Sequence, residues 1–293
     1  MVRALAAVLL TLAGVPAARS GDLASLPAEV EGLVAASGAE VSVALRTVGG
    51  SDELLVRPDV SYHAASTMKV PVMIELFAQA RQGKLRLDDP LPVKNEFASI
   101  VDGSAYSLDP AGDSEAGTYR AVGGTLTLRQ LCEAMITRSG NLAANLLIEK
   151  LGVENIRRTV RGLRAEGMQV LRGVEDGKAY QKGLNNTTTA RALMRLLHAL
   201  ARGRAVDAES SRQMVLILAR QRFNSAIPAG LPPGTPVAHK TGTITRIHHD
   251  AAIVYGPRPF VLVVLVRGLE DEKRSAALIA DIARAAYAAV NGR

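Results

Sequence analysis

Three short motifs in the chain carry hydroxyl and ammonium groups in an order that suits covalent catalysis by a serine. They are Ser66-Thr67-Met68-Lys69, Ser139-Gly140-Asn141 and Lys240-Thr241-Gly242-Thr243. Each motif alone is common, but the spacings of 73 residues from Ser66 to Ser139 and 101 residues from Ser139 to Lys240 make the set informative. Together they supply what is needed to acylate a serine without a histidine.

Ser66 and Lys69 form the central pair of this chemistry. The pattern predicts a helix over residues 68–82, with Ser66 as its N-cap and Lys69 on the same face. The free N–H groups at the helix start favour a serine alkoxide. Burial or a neighbouring cation lowers the pKa of a lysine, so a neutral Lys69 can accept the serine proton. We therefore predict Ser66 as the nucleophile and Lys69 as its base.

The motif set resembles that of the class A β-lactamases and the penicillin-binding proteins that share their fold, which carry S-x-x-K, S-D-N and K-T-G. The resemblance covers nearly all of the chain after residue 20, and the middle motif departs from it because Gly140 replaces the acid. It implies an α/β (α+β) fold in which an antiparallel sheet is flanked by helices and carries an inserted all-helical lobe.

The same resemblance implies roles for the second motif. Ser139 would relay a proton to the leaving nitrogen, because an amide nitrogen departs only after protonation. Asn141 would bind substrate and orient Lys69. A simpler reading makes Ser139 the N-cap of a helix over residues 142–150, and the two roles are compatible.

The third motif is predicted to open an edge strand along the cleft. By resemblance, Lys240 and Thr241 would bind a substrate carboxylate, and the backbone N–H of Thr243 would join that of Ser66 in an oxyanion hole. Gly242 would let the substrate backbone approach closely.

Hydrolysis of the ester on Ser66 requires a base for water, and residues 171–178 form the candidate loop. Glu175 matches the family's loop glutamate best, but the Leu-Asn that should follow it is missing and the loop is short. Two roles stay open, in which Glu175 is the base or pairs with a loop arginine. Lys69, or another acid of the loop such as Asp176, is the next candidate base.

Histidine and cysteine add little chemistry. His248, His249 and Asp250 are neighbours in a predicted strand, so their side chains alternate between faces and do not converge on a metal. We expect no metal and no cofactor. His249 or Arg246 is the expected extra cation beside the Lys240 strand, and Cys132 is expected to be a buried structural thiol.

The spacing of hydrophobic residues predicts which helices and strands carry these motifs. Helices are predicted over residues 23–36, 126–135, 142–150, 155–163, 189–201 and 275–290, and strands over 41–45, 53–56 and 260–266. We predict an α/β lobe from residues 21–83 plus 236–293 and a helical lobe from 84–235, which together form one catalytic domain.

Residues 1–20 read as a secretory leader with a charged start, a short apolar run and small residues near positions 17–20. We expect cleavage, no membrane insertion afterwards and a secreted or periplasmic location. An uncleaved tether is the rival reading. The 35 basic and 28 acidic residues give a net charge of +7, but they are scattered and aromatic residues are only 3%, which disfavours nucleic-acid binding. We expect a monomer.

These observations predict an exported class A β-lactamase-type hydrolase that opens β-lactam rings through an acyl-enzyme. One alternative is a penicillin-binding D-Ala-D-Ala peptidase with slow deacylation, whose substrate would be a peptidoglycan stem peptide. Another is a non-enzymatic β-lactam or peptidoglycan sensor that acylates without turnover. A histidine-dependent esterase is disfavoured because no Gly-x-Ser-x-Gly motif is present.

Overall fold

Residues 23–292, the part of the chain described by the computed structural model, form ten α-helices and eleven β-strands. The predicted leader lies outside the described residues. The helices are α1 (Leu26–Ser37), α2 (Lys69–Arg81), α3 (Gly117–Arg120), α4 (Leu128–Thr137), α5 (Asn141–Leu151), α6 (Val153–Gly162), α7 (Gly177–Gln181), α8 (Ala190–Ala201), α9 (Ala208–Leu218) and α10 (Glu272–Asn291). The strands are β1 (Glu40–Thr47), β2 (Glu53–Val56), β3 (Tyr62–His63), β4 (Pro90–Pro92), β5 (Phe97–Ala98), β6 (Ala105–Tyr106), β7 (Thr125–Thr127), β8 (Thr187–Thr188), β9 (Val237–Ile244), β10 (Ile247–Val254) and β11 (Phe260–Arg267).

The main sheet joins strands from both ends of the chain. Its five strands run in the order β2-β1-β11-β10-β9, and every neighbouring pair is antiparallel. In the middle of the sheet, Val43 of β1 pairs with Val264 of β11 on one side and Val56 of β2 on the other. The predicted antiparallel sheet is therefore confirmed, and β9 with the Lys240 motif is an edge strand.

Strand β11 is apolar throughout because both faces of the sheet are covered. Val261, Val263 and Leu265 pack into a core with residues of α2, α4, α5 and α8. The alternating residues Leu262 and Val264 pack into a second core with α1 and α10. The site described below lies where the first core meets the edge of the sheet.

The predicted helices are present, with ends shifted by a few residues. In α4, a capping box between Thr127 and Gln130 sets the start, and Cys132 is buried among its apolar stripe. Burial raises the pKa of Cys132 to about 12, which agrees with a structural thiol. Helix α9 was not predicted, because its first half is polar and its buried residues are only a narrow stripe.

Packing contacts cross the predicted boundaries between the two lobes. The division of the chain into an α/β lobe and a helical lobe therefore stays a prediction. Helix α8 packs against β1, β10 and β11, although it falls within residues 84–235. The 3₁₀ turn Ile227–Gly230 packs against α10, and a Cβ on Gly230 would lie 1.9 Å from the carbonyl oxygen of Ala280. A glycine is required there for the two segments to touch.

Within residues 23–292, no helix is long and apolar enough to cross a membrane.

Candidate active site

Ser66 lies in a 3₁₀ turn, Ala65–Met68, directly before α2. The prediction that Ser66 is the helix N-cap is wrong, because Met68 holds that position and no side chain caps the helix. Ala65 has a left-handed backbone with φ of 45°, a strained conformation for a residue with a side chain. The Ser66 hydroxyl is consequently not used for capping and faces Lys69.

Lys69 is completely buried beneath Ser66. Its ammonium donates to Ser66 Oγ at 3.0 Å, Ser139 O at 2.5 Å, Ser139 Oγ at 3.3 Å and Asn141 Oδ1 at 2.8 Å. Burial lowers the pKa of Lys69 from 10.5 to about 7, although the negative charges of Asp113 and Glu175 oppose the change. At neutral pH a large fraction of Lys69 is therefore neutral and within reach of the Ser66 proton.

Ser139 lies between two lysines. Its hydroxyl accepts hydrogen bonds from Lys240 Nζ at 3.0 Å and from Lys69 Nζ at 3.3 Å. The simpler reading of Ser139 as the N-cap of α5 is wrong, because Gly140 holds the N-cap position and Ser139 has a φ of 60°. The hydroxyl is thus free to exchange a proton with either ammonium.

Lys240 is also completely buried, and it donates to Ser139 Oγ and to the carbonyl of Thr241 at 2.9 Å. Burial lowers the pKa of Lys240 well below its ordinary value, and the nearby charge of Lys69 lowers it further. The negative charge of Asp250 opposes both effects. The Ser139 hydroxyl thus joins the two lysines through hydrogen bonds.

Gly242 brings β9 against the serine turn. A Cβ at this position would lie 3.1 Å from the backbone nitrogens of Ser66 and Thr67 and from Thr67 Cγ2. A glycine at this position thus allows the close approach of strand and turn, which is a reason additional to the predicted access for substrate.

Glu175 lies at the border of this cluster and is exposed. Its carboxylate accepts from Asn141 Nδ2 at 3.1 Å and from the backbone N–H of Asp109 at 3.3 Å. Its φ of 64° is left-handed. Within residues 23–292 it forms no ion pair with an arginine, so that alternative role is not supported. Arg172 instead binds carbonyl oxygens and Asn185.

The contacts of Asp176 indicate a structural role and not the role of alternative base for water. Its carboxylate caps α7 at Ala179 N and accepts from Ser99 Oγ and Ile100 N. Burial opposes ionisation, but these hydrogen bonds hold the pKa of Asp176 below its ordinary value. A carboxylate so fully occupied is a poor base for water.

Asn145, which the sequence reading missed, positions the Glu175 loop. Its side chain accepts from Val174 N at 2.6 Å and donates to Val174 O at 3.0 Å. Asn145 lies one helical turn after Asn141 in α5, so the spacing of four residues was a usable signal. One face of α5 thus holds both Lys69 and the backbone beside Glu175.

The expected extra cation is not His249. This residue is fully buried, its Nε2 contacts His63 O, and its Nδ1 accepts from Val266 N. Burial lowers the pKa of His249 to about 4, so it is neutral. Arg246 is bound to Gly268 O and lies 3.7 Å from Glu270.

Asp250 meets a histidine that the sequence reading did not single out. His239 Nδ1 lies 2.9 Å from Asp250 Oδ1, and its Nε2 lies 3.1 Å from Asn224 Oδ1. The other carboxylate oxygen of Asp250 accepts from Ile227 N. His239 pairs with Ala252 and Asp250 with Thr241, so the two side chains meet diagonally across adjacent strands, which a reading of one strand at a time does not reveal.

A cavity of about 510 Å³ opens above these groups. Its wall includes five of the predicted site residues: Ser66, Ser139, Asn141, Thr241 and Thr243. Arg222 and His248 also line it, and neither was among the predicted site residues. The arrangement suits a small substrate with a carboxylate at one end and a carbonyl at Ser66.

Comparison with known proteins agrees with this geometry. Residues 25–290 match the model of the Beta-lactamase enzyme family. The chain is 28% identical over 276 residues to a β-lactamase of Streptomyces albus G, covering 90% of this chain and 84% of that protein.

Solved structures are similar over most of the chain. An ancestral (GNCA) class A β-lactamase is 29% identical with a TM-score of 0.78, covering 90% of this chain and 99% of that one. A mutant of PBP-A, solved as an acyl-enzyme complex with penicillin G, is 25% identical with a TM-score of 0.78, covering 92% and 97%.

Proposed function

Because this chain belongs to the class A β-lactamase family and has its α/β fold, we propose that it is an exported serine hydrolase that opens β-lactam rings. The single observation that carries the proposal is the buried Lys69, which is held between Ser66 Oγ, Ser139 and Asn141 with a pKa lowered to about 7. A buried lysine within hydrogen-bond distance of a serine hydroxyl suits proton transfer from that serine.

In the proposed acylation, neutral Lys69 takes the proton of Ser66 as Oγ attacks the lactam carbonyl carbon. The backbone N–H groups of Ser66 and Thr243 bind the oxyanion, and the substrate carboxylate lies by Lys240 and Thr241. The C–N bond then breaks, and Ser139 donates its proton to the nitrogen while receiving one from Lys69 or Lys240. The product is an ester on Ser66 and an opened ring.

In the proposed hydrolysis, Glu175 takes a proton from water, which attacks the ester carbonyl. The C–O bond to Ser66 breaks, the serine oxygen takes a proton from Lys69, Lys69 is reprotonated by the proton that Glu175 took from water, and the acid product leaves. Support for this role comes from Asn141, whose amide group links Glu175 at one end to Lys69 at the other.

A second candidate function is a penicillin-binding D-Ala-D-Ala peptidase with slow deacylation. The observation that favours it is the exposed carboxylate of Glu175, which is already bound by Asn141 Nδ2 and Asp109 N. The similarity to PBP-A over 92% of the chain agrees with this candidate.

One experiment separates these functions. Purified protein is mixed with a chromogenic cephalosporin, and turnover is followed before acid quench and peptide mass spectrometry. We expect many turnovers and a transient adduct on Ser66 that Ser66→Ala abolishes. Ser225→Ala, which removes another hydroxyl from the cavity wall, is the matched control and retains the adduct.

Other outcomes have defined meanings. One adduct per protein without turnover contradicts the lactamase. Release of D-alanine from a peptide ending in D-Ala-D-Ala then identifies the peptidase, and its absence leaves the sensor. No adduct at saturating penicillin contradicts all three. Export is checked separately by the intact mass of the secreted protein, which should lack roughly the first 17–20 residues.

A further inference from the structure

Another acid, Glu115, lies beside Gly140, the middle residue of the second motif. A Cβ on Gly140 would lie 3.0 Å from Glu115 Cβ and 3.4 Å from the carbonyl oxygen of Ala134. Glu115 is 4% exposed, and its carboxylate accepts from Gly117 N, Thr118 N and Thr118 Oγ1. Glu115 is therefore held firmly, and a side chain at position 140 would have to displace it by a few tenths of an ångström.

The carboxylate of Asp113 accepts hydrogen bonds at the start of α5. Asp113 Oδ2 accepts from Asn141 N at 2.8 Å and from Leu142 N at 3.1 Å, although it lies 28 residues before Asn141. Its Oδ1 accepts from Glu115 N at 3.0 Å, which fixes the carboxylate itself. The first N–H groups of a helix have no partner within it, and Gly140 has no side chain to offer.

We propose that Asp113 is a positioning residue that supplies, from a separate loop, the carboxylate missing at Gly140, and thereby holds Ser139 and Asn141 against Lys69. Three of the four oxygens around Lys69 Nζ belong to Ser139 and Asn141. A shift in the first turn of α5 would move all three together. The inference rests on the proposed function for its kinetic consequences, but its structural content is independent of turnover.

Asp113 also acts on Lys69 through its charge. Burial lowers the pKa of Lys69, and Asp113 is the larger of the two negative charges that oppose this. The charged groups that surround the pair are Glu175 and Lys240 beside Lys69, and Glu115 with Arg138 beside Asp113. Tyr119 stays neutral, because burial and the charge of Asp113 raise its pKa.

Two substitutions at Asp113 separate the effect of its hydrogen bonds to α5 from the effect of its negative charge. Asp113→Ala removes both, and we expect the rate of Ser66 acylation by a fluorescent penicillin to fall by about 10- to 100-fold, since small misplacements of reacting groups have effects of this size. Asp113→Asn keeps an oxygen for the two amides and should recover most of that loss. Because it removes a negative charge, the pKa of Lys69 falls, and the rising limb of the acylation rate against pH should move to lower pH.

Asp88→Asn is the control, because it removes an exposed carboxylate that lies 3.7 Å from Arg129, away from the site. It should leave the acylation rate and its pH limb unchanged. Parent-like acylation by Asp113→Ala contradicts the proposal. So does an equal shift of the limb in Asp88→Asn.

A readout without substrate separates this proposal from the proposed function. Hydrogen exchange at the amides of Asn141 and Leu142 should quicken in Asp113→Ala, and the NMR titration of the Lys69 side chain should move to lower pH in Asp113→Asn. These changes support the proposal even in a protein that penicillin does not acylate. Unchanged exchange and an unchanged titration would overturn it. The conservative Asp113→Asn variant provides the test if Asp113→Ala does not fold.

Discussion

The turn that carries Ser66 and the loop that carries Glu175 are held in opposite ways. Lys69 below the turn is completely buried and contacts four oxygens from three residues. Glu175 is exposed and has a left-handed backbone conformation. Its carboxylate is held in position by two hydrogen bonds of 3.1 and 3.3 Å. The first region is built by packing, whereas the second depends on a few polar contacts.

Under the proposed function, this difference suits the two half-reactions. Proton transfer from Ser66 needs a lysine with a lowered pKa, and complete burial provides it. Attack on the ester needs water, so its base must lie near solvent and cannot be buried to the same degree. Asn141 joins the regions, because its oxygen accepts from Lys69 and its nitrogen donates to Glu175.

The largest effect is expected from Lys69→Met, which keeps an unbranched side chain but removes the base. Acylation of Ser66 should fall by about 10² to 10⁴, the range for loss of a positioned base. Stopped-flow acylation by a fluorescent penicillin measures it. Lys94→Met, which removes a half-exposed ammonium paired with Glu149, is the control and should acylate normally. Normal acylation by Lys69→Met would mean that the buried region is not the acylating one.

Glu175→Gln should affect only the second half-reaction. If the two regions are separable, acylation stays within a few-fold of the parent while ester hydrolysis slows by about 10² or more. The adduct should then accumulate on Ser66 in quenched samples. Glu166→Gln changes another exposed glutamate of the chain and should leave hydrolysis unchanged. Rapid hydrolysis by Glu175→Gln would show that Glu175 is not the base.

The pH dependence of acylation should report Lys69, the proposed base for Ser66. Lys69 is protonated and inactive below its pKa of about 7 and neutral and active above it. The acylation rate constant should therefore rise about tenfold per pH unit below pH 7 and level off above it. Measurement in single-turnover conditions separates this limb from ester hydrolysis. A rising limb near pH 10 would contradict a lysine whose pKa is lowered by burial.

The smallest effect is expected from Gly242→Ala, which tests how tightly β9 packs on the serine turn. The added Cβ would lie 3.1 Å from three atoms of Ser66 and Thr67, so the strand must move by a few tenths of an ångström. We expect acylation to fall by about tenfold or less, with hydrolysis of the formed ester changed similarly. Gly162→Ala, which has open space for its methyl group, is the control. An unaffected Gly242→Ala would show that the contact is not needed for catalysis.

The overall fold was largely predictable because its signals are local. The apolar run of β11 and the helical spacing in α4, α5 and α8 indicated their elements with ends correct to within a few residues. Helix α9 was not predicted because its buried stripe is narrow and its first half is polar. The pairing of β1 with β11 followed from the absence of other partners for the first strands.

The site was only partly predictable. Motif order identified Ser66, Lys69, Ser139, Asn141 and the Lys240 motif, and the structure brings them into one cluster. Ser66 was wrongly expected to cap α2, because a preceding 3₁₀ turn takes the chain into the helix. His249 was wrongly considered as a cation, because which strand face is covered depends on packing.

The sequence by itself determined which residue types stand three apart on one helix, which runs are apolar and in what order the motifs occur, since these depend on neighbours in the chain. Only the tertiary structure decided that Lys240 reaches Ser139 across 101 residues, that Asp113 caps α5, and that His239 faces Asp250. These contacts join segments far apart in the chain. The lowered pKa of Lys69 likewise arises from burial by several elements together, so it exists only once they have packed.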